Sequence, residues 1–310
     1  MPTALITHPA CLAHDTGPYH PECPDRLRAV LAALERPEFA DLIRETAPAA
    51  TEEQLGRVHP ADYIAAILAI RPEFGESVQI DSDTLMSPGS AEAALRAAGG
   101  AIMAVDAVME GWARAAFAAV RPPGHHAEPS RPMGFCVFNN AAVAAMHARA
   151  RWGVQRVAVV DFDVHHGNGT QAMFAADPDL FYASSHQSPC YPGTGESWER
   201  GVAENIVNAP LHPRDGSAAF RSAWSNIILP ALDTFAPGLL IISAGFDGHV
   251  ADPLAQLRLE TADYAWITAQ LVGIADKHCR GRVVSVLEGG YDLNSLAASA
   301  AAHVRGLMRL

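Results

Sequence analysis

The sequence predicts an α/β protein built on a mostly parallel sheet with helices on both faces. Three observations predict it. Short apolar runs rich in Val, Ile and Leu alternate with longer helical stretches from about residue 25 to the C-terminus. The runs show no polar alternation, as expected of strands covered on both sides. Each run then empties into a polar or glycine-rich loop, and such sheets carry their sites at the carboxyl ends of the strands.

Taken in order, Asp25 to Leu34 is an amphipathic helix and Ala91 to Glu110 an Ala-rich one. Ala115 to Val120 is a strand that leads into the Pro/Gly-rich loop Arg121 to Gly134. Asn140 to Arg151 has a helical pattern and precedes the strand Val157 to Val160. Leu180 to Ser184 reads as a strand, Ala218 to Phe235 as a helix and Leu239 to Ser243 as a buried strand. Thr261 to Cys279 is a helix, Val283 to Leu287 a strand and Ser295 to Leu310 a closing helix. Pro72 to Gly89 and Gln187 to Asn205 are the longest irregular stretches. No repeat, low-complexity tract or linker divides the chain, so residues 1–310 are expected to form one domain.

With 310 residues, 49% hydrophobic and 18% charged, the chain can bury a large core without disulfides. Its five cysteines, Cys11, Cys23, Cys136, Cys190 and Cys279, are scattered, so neither a disulfide framework nor a cysteine-rich zinc site is expected. There is no run of eighteen apolar residues and no basic-then-apolar leader. A cytoplasmic protein without a membrane partner is the expectation. The formal charge is −12 and no Lys/Arg cluster interrupts it, which argues against nucleic acid and suits cationic partners such as lysine-rich tails or polyamines.

The chemistry concentrates at four strand ends. Val157 to Val160 runs into Asp161-Phe162-Asp163-Val164-His165-His166-Gly167-Asn168-Gly169. Residues two apart on a strand share a face, so Asp161, Asp163 and His165 are expected to point the same way. Catalytic zinc takes three protein ligands and leaves a position for water, a count that Asp163, His165 and Asp247 satisfy. Two carboxylates offset the charge of the ion and leave it able to polarise a carbonyl. Fe(II) or Co(II) suits the same ligands. The pair His125-His126 follows a proline-rich turn, and two imidazoles can serve as the base for water and the acid for a leaving amine. Asp161 is placed to fix one imidazole's tautomer, and Asn168 to orient the other without adding charge. Tyr291, behind Gly289-Gly290 on a turn expected to be mobile, offers a phenol to an oxyanion.

These pieces closely resemble the zinc-dependent histone deacetylase family, in particular its class II-like bacterial amidohydrolases. The resemblance rests on His20-Pro21-Glu22-Cys23-Pro24-Asp25-Arg26-Leu27, Arg121-Pro122-Pro123-Gly124-His125-His126-Ala127, Gly134-Phe135-Cys136-Val137-Phe138-Asn139-Asn140, the Asp161 to Gly169 run, Tyr191-Pro192-Gly193-Thr194-Gly195, Ser243-Ala244-Gly245-Phe246-Asp247 and Leu287-Glu288-Gly289-Gly290-Tyr291, in the family's order. It implies an arginase/deacetylase-like three-layer αβα fold with a central, mostly parallel eight-stranded sheet. It also implies hydrolysis of an acyl-lysine amide, with one zinc on Asp163, His165 and Asp247 and a proton-transfer pair in His125 and His126. Asp161 would support His125, and Tyr291 would polarise the scissile carbonyl. Phe135 and Tyr191 would wall the acyl-lysine tunnel, with Gly134 near its base. A structural potassium ion would sit on Asp161, on backbone groups of Asp163, His165 and Ser184, and on Ser185.

Particular positions refine that resemblance. Asn168 stands where class I members carry Asp. Leu254 occupies the place where polyamine deacetylases of the class II type use a gatekeeping Glu, and Asp83 resembles the rim aspartate that grips substrate backbone amides. The same fold hosts ureohydrolases with two manganese ions and a Ser-x-Asp-x-Asp pattern. Here Gly245 stands where the second ion would need a carboxylate, so one metal is expected. The expected partner is an acyl-lysine peptide or protein, the alternative a small acylated amine such as an acetylated polyamine. An oligomer is compatible with the sequence. A non-catalytic acyl-lysine binder is disfavoured because no ligand, histidine or tyrosine is missing.

Overall fold

The computed structural model describes residues 2–310. Ten strands form: β1 Thr3–Thr7, β2 Ile43–Thr46, β3 Val78–Asp81, β4 Thr84–Met86, β5 Ala115–Ala118, β6 Val157–Asp161, β7 Leu180–Gln187, β8 Ile206–Leu211, β9 Leu239–Ala244 and β10 Val283–Leu287. Eight of them make one sheet in the order β2-β1-β5-β10-β9-β6-β7-β8. Every pairing within it is parallel. Helices flank the sheet in two groups. Ser90–Glu110 and Asn140–Trp152 pack on each other and on the central strands. Thr261–His278 and Leu293–Met308 form a second packed pair, joined by Pro24–Ala33. This is the three-layer architecture and eight-stranded sheet that the sequence led us to expect.

Strands β5, β6, β7, β9 and β10 are buried along their whole length, which is why their sequences lack alternation. At the sheet edge, β2 reads Ile-Arg-Glu-Thr and is largely exposed; charge on an edge strand discourages pairing with another chain. The helix Ser90–Glu110 buries small residues on most of its circumference because it lies between the sheet and the helix Asn140–Trp152. It stops at Gly111, whose backbone takes the left-handed conformation that a side chain disfavours.

Several elements lay outside the sequence reading. β1, β2 and β8 are too short or too mixed to announce themselves by periodicity. The stretch from Pro72 to Gly89, expected to be irregular, contains the antiparallel hairpin β3–β4. β7 continues three residues past Ser184 to Gln187. The single helix expected over Ala218 to Phe235 is two helices, Ser217–Ala223 and Leu229–Phe235, flanking a π-helical turn at Trp224–Ile228. Pro230, which has no N–H to donate, follows directly on this wider turn. Among the described residues no helix is long and apolar enough to cross a membrane.

Sheet order brings the chemistry together. The neighbours β5, β10, β9 and β6 are the four central strands. Being parallel, they release the His125-His126, Glu288–Tyr291, Asp247 and Asp163/His165 segments on one side of the molecule.

Two further histidines are built into the interior as neutral groups. His303 lies between Thr268 Oγ1 and Ser285 Oγ at 2.6 and 2.8 Å, and burial lowers its pKa to about 3. His59 joins the carbonyl of Pro129 (2.9 Å) to the N–H of Asn139 (3.0 Å), and burial lowers it to about 4. A depressed folded-state value means that the unfolded chain binds more protons between about pH 4 and 6.5, so this group's stabilisation shrinks as pH falls through that window. For His59→Gln we expect a loss of stability at pH 7.5 that narrows by roughly 1.4 kcal/mol per pH unit below 6.5. Urea midpoints of both proteins at several pH values test this, and a constant difference would contradict it.

Candidate active site

The strand β6 ends at Asp161, and the chain then coils through two successive turns closed by aspartate side chains. Asp161 Oδ1 accepts the N–H of Asp163 (3.0 Å), and Asp163 Oδ1 accepts the N–H of His165 (2.9 Å). Aspartate favours such turns because its short side chain reaches the backbone two residues on. The sequence expectation that Asp161, Asp163 and His165 share one strand face is therefore replaced by a coil with divided tasks. Asp163 and His165 join Asp247, while Asp161 turns to His125.

Asp163, His165 and Asp247 offer ligand atoms that all lie within 4.8 Å of one another, and all three are buried. His165 Nδ1 stands 3.2 Å from Asp163 Oδ1 and 3.0 Å from Asp247 Oδ2. Backbone donors fix the carboxylates from behind: Gly289 N–H reaches Asp163 Oδ2 at 2.8 Å and Val164 N–H reaches Asp247 Oδ1 at 2.9 Å. Burial and the neighbouring charge of Asp163 raise the Asp247 carboxyl to about 7. Two anionic oxygens and an imidazole nitrogen directed at one point are the donor set of a divalent cation, which relieves that repulsion. Gly245 leaves the room: a Cβ there would lie 2.0 Å from Asp163 Oδ2. The position that ureohydrolases would fill with a second carboxylate is thus closed to any side chain.

The paired histidines sit beside this cluster with ring centroids 4.0 Å apart. His125 Nδ1 is 2.9 Å from Asp161 Oδ2, so this nitrogen carries the proton, and Nε2 lies 3.9 Å from Asp163 Oδ2. His126 Nδ1 is 2.9 Å from Asn168 Oδ1. Asn168 spends its Nδ2 on Glu128 Oε1 (2.9 Å), which orients its oxygen toward the imidazole. His126 therefore donates from Nδ1 and presents Nε2 as an acceptor. Burial pulls both imidazoles down. At His125 the carboxylates of Asp163 and Asp161 overcome it and raise the value to about 10. At His126 the positive neighbours His125 and His165 add to it, and the value falls well below the usual range. Buried Glu288 ties the loop carrying the pair to the end of β10, because its Oε2 accepts the N–H groups of Gly124 (2.7 Å) and His125 (3.2 Å).

A cavity of about 250 Å³ opens over these groups. His126, His165 and Tyr291 form its polar part, and Phe135, Tyr191 and Leu254 its apolar walls. Gly134 and Asp83 complete the lining. Gly134 is backed directly by His126, to which a Cβ would come within 2.3 Å. Asp83 Oδ1 accepts the N–H of Gly134 (3.0 Å) and the hydroxyl of Thr84 (3.0 Å), so this carboxylate also braces the wall. The Tyr291 ring meets Phe135 edge-on at 5.8 Å, and burial keeps its phenol protonated. The turn before it is held rather than loose. Arg26 donates to the carbonyls of Glu288 and Gly290, and its guanidinium lies 4.8 Å from the Tyr291 ring centroid. A larger open cleft, about 660 Å³, carries none of these residues.

Ser184 is the register partner of Asp161, and its Oγ lies 2.9 Å from His186 Nδ1. The Ser185 hydroxyl instead accepts the Trp224 indole N–H at 2.9 Å. Sequence reasoning assigned no role to Glu288, Arg26, Arg121 or Glu22. The last three form a buried ionic network under the site. They stand in the His20 to Leu27, Arg121 to Ala127 and Leu287 to Tyr291 motifs, where Glu22, Arg26, Arg121 and Glu288 are all buried.

Comparison with known proteins decides the family. Residues 20–307 match the family profile described as Histone deacetylase domain. The chain belongs to the histone deacetylase family. As a member it is a deacetylase, a hydrolase. The histone deacetylase-like amidohydrolase of Pseudomonas aeruginosa is 40% identical over 93% of this chain and 81% of its own length. Histone deacetylase 14, chloroplastic, of Arabidopsis thaliana is 38% identical over 96% of this chain and 75% of its own. Polyamine deacetylase HDAC10 of Mus musculus is 36% identical over 99% of this chain, which spans 48% of that protein. Among solved structures, the crystal structure of the HDA15 HD domain superposes with a TM-score of 0.93 at 36% identity, covering 99% of this chain and 88% of that one. For this deacetylase we expect Gly245→Ala to displace Asp163 and weaken divalent metal binding by about tenfold or more while leaving a cooperative melt. Elemental analysis after dialysis against graded chelator measures it, and undiminished metal retention would contradict it.

Proposed function

We propose that this deacetylase removes the acetyl or other acyl group from the Nε of lysine, through water activated at a single zinc site. The observation that carries the reading is the convergence of Asp163, His165 and Asp247 with two differently tuned histidines and a phenol around one narrow cavity. Asp163, His165 and Asp247 would hold the zinc, which when bound polarises the acyl carbonyl and acidifies water.

The chain's own groups supply the rest. The apolar walls Phe135 and Tyr191 take up the methylenes of a lysine side chain, and Leu254 borders the same cavity. His126 presents Nε2 as an acceptor to the attacking water. His125, its Nδ1 proton held by Asp161 and its imidazole kept charged by the neighbouring carboxylates, is suited to hand the Nε2 proton to the departing amine. Tyr291, un-ionised and clamped through its turn, donates its hydroxyl to the oxygen on which negative charge develops. A structural potassium ion would draw on Asp161 and on backbone oxygens near Ser184. Ser185 would contribute only its backbone, since its hydroxyl is engaged by Trp224.

Turnover of a fluorogenic acetyl-lysine peptide that is abolished by chelator and restored by Zn²⁺ is the expected result. Failure on every acyl-lysine tested would overturn the reading. Tyr291→Phe should lower kcat by about 10²-fold with KM little changed, the usual cost of a lost oxyanion donor. An unchanged kcat would remove the phenol from the reaction.

A second substrate class follows from the acidic chain and the polyamine deacetylase relative: a small acetylated amine. The apolar Leu254 beside the cavity gives a distant ammonium nothing to pair with, so the acyl-lysine peptide is favoured. Comparing kcat/KM on an acetyl-lysine peptide and on N-acetylputrescine should favour the peptide, and the reverse order would install the amine as substrate.

A further inference from the structure

Asp252 takes no part in the chemistry above, yet its side chain is nearly fully buried against the tyrosine turn. Its Oδ2 accepts the N–H of Tyr291 at 2.7 Å and faces that of Asp292 at 3.4 Å, while Oδ1 accepts the N–H of Leu254 at 3.0 Å. One carboxylate therefore joins two segments that line the cavity, the stretch bearing Leu254 and the turn bearing Tyr291.

The same turn is gripped upstream by other groups. Arg26 donates to the carbonyls of Glu288 and Gly290, and Asp163 accepts from the N–H of Gly289. Among these anchors, Asp252 holds the peptide nitrogen of Tyr291 itself. Directly after it Asp292 caps the helix Leu293–Met308 by accepting the N–H of Ser295, so Tyr291 lies between two side-chain anchors.

Burying a carboxylate is costly unless it is well hydrogen-bonded. A carboxylate accepts on both oxygens, so it can serve amides on two segments at once, whereas the isosteric carboxamide offers one acceptor and meets the other amide with a donor. The charge is thus used to make two backbone segments move as one.

We propose that Asp252 is a positioning residue for the deacetylation, fixing the Tyr291 backbone against the Leu254 segment so that the phenol hydroxyl is presented to the acyl oxygen. This rests on the role given to Tyr291 under the proposed function. Misplacing a donor by a fraction of an ångström costs rate rather than substrate affinity.

A double-mutant cycle on the zinc-loaded enzyme tests it, using wild type, Asp252→Asn, Tyr291→Phe and the double variant on an acetyl-lysine peptide. Asp252→Asn should lower kcat by about tenfold or more, with KM within about threefold and zinc content unchanged. In the Tyr291→Phe background the same change should cost less than about twofold. An equal factor in both backgrounds, or a loss carried entirely by KM, would overturn the proposal. Full activity of Tyr291→Phe alone would instead overturn the role of the phenol. A readout independent of turnover is the ¹⁹F spectrum of protein carrying 3-fluorotyrosine at position 291. One sharp line in the native protein should broaden or split in Asp252→Asn, and an unaltered line counts against the proposal. Asp252→Ser provides a second variant should the carboxamide not fold.

Discussion

Two buried carboxylates, Asp163 and Asp247, share one imidazole at the end of a parallel sheet, a concentration of negative charge that a divalent cation would offset. Much of the neighbouring structure is arranged around the constraint. Backbone N–H groups of Gly289 and Val164 are aimed at the acids, and the absence of a side chain at Gly245 lets one of them in. The same field reaches the histidine pair. His125, paired with Asp161 and close to Asp163, is pushed up, whereas His126, given only a neutral asparagine, is pushed down. Two chemically identical side chains, adjacent in sequence and 4.0 Å apart, thus acquire opposite proton affinities from their surroundings alone. Separation of that kind is how one site supplies both an acid and a base near neutral pH.

A second level of organisation lies beneath the reacting groups. Glu22 binds Arg26 and Arg121, Arg26 reaches the tyrosine turn, and Glu288 reaches the histidine loop. These fully buried charges are matched within the network, which makes them tolerable, and they lock loops that would otherwise be free to vary. The cavity walls follow the same logic, since Asp83 and Thr84 at the β3–β4 hairpin hold the N–H groups of Gly134 and Phe135.

The parts of this arrangement that could be read from the sequence are those encoded within short segments. Asp161 to Asn168 carries two of the three clustered candidate metal ligands and the two partners of the histidine pair in eight residues, and apolar strands that end in polar loops are visible without alignment. The central strands β5, β6, β9 and β10 were legible because burial on both faces leaves at most one polar residue in each to confuse the pattern. Asp247 and Tyr291 could be joined to the rest because they too follow buried strands. What escaped was encoded by pairing across long separations. Arg26 meets Glu288 across 262 residues, Arg121 meets Glu22 across 99 and Tyr291 meets Asp252 across 39. Local periodicity contains no trace of such partners. The hairpin β3–β4 escaped for a different reason, since its strands are only four and three residues long, the first partly exposed and the second largely buried. Within the legible run, the strand itself stops at Asp161, whose carboxylate accepts the N–H of Asp163, so Asp163 and His165 are carried by coil and not by a continuing strand.

The order β5-β10-β9-β6 has a further consequence. Adjacent parallel strands stand roughly 4.8 Å apart, a spacing set by peptide geometry and indifferent to side chains. The intervals separating the histidine pair, Tyr291 and the cluster of Asp163, His165 and Asp247 are thereby inherited from the backbone ladder, much as the teeth of a comb inherit their pitch from its spine. Outlying loops can diverge in length and composition without altering that pitch, whereas a slip of register between two central strands would shift the groups that follow them relative to one another.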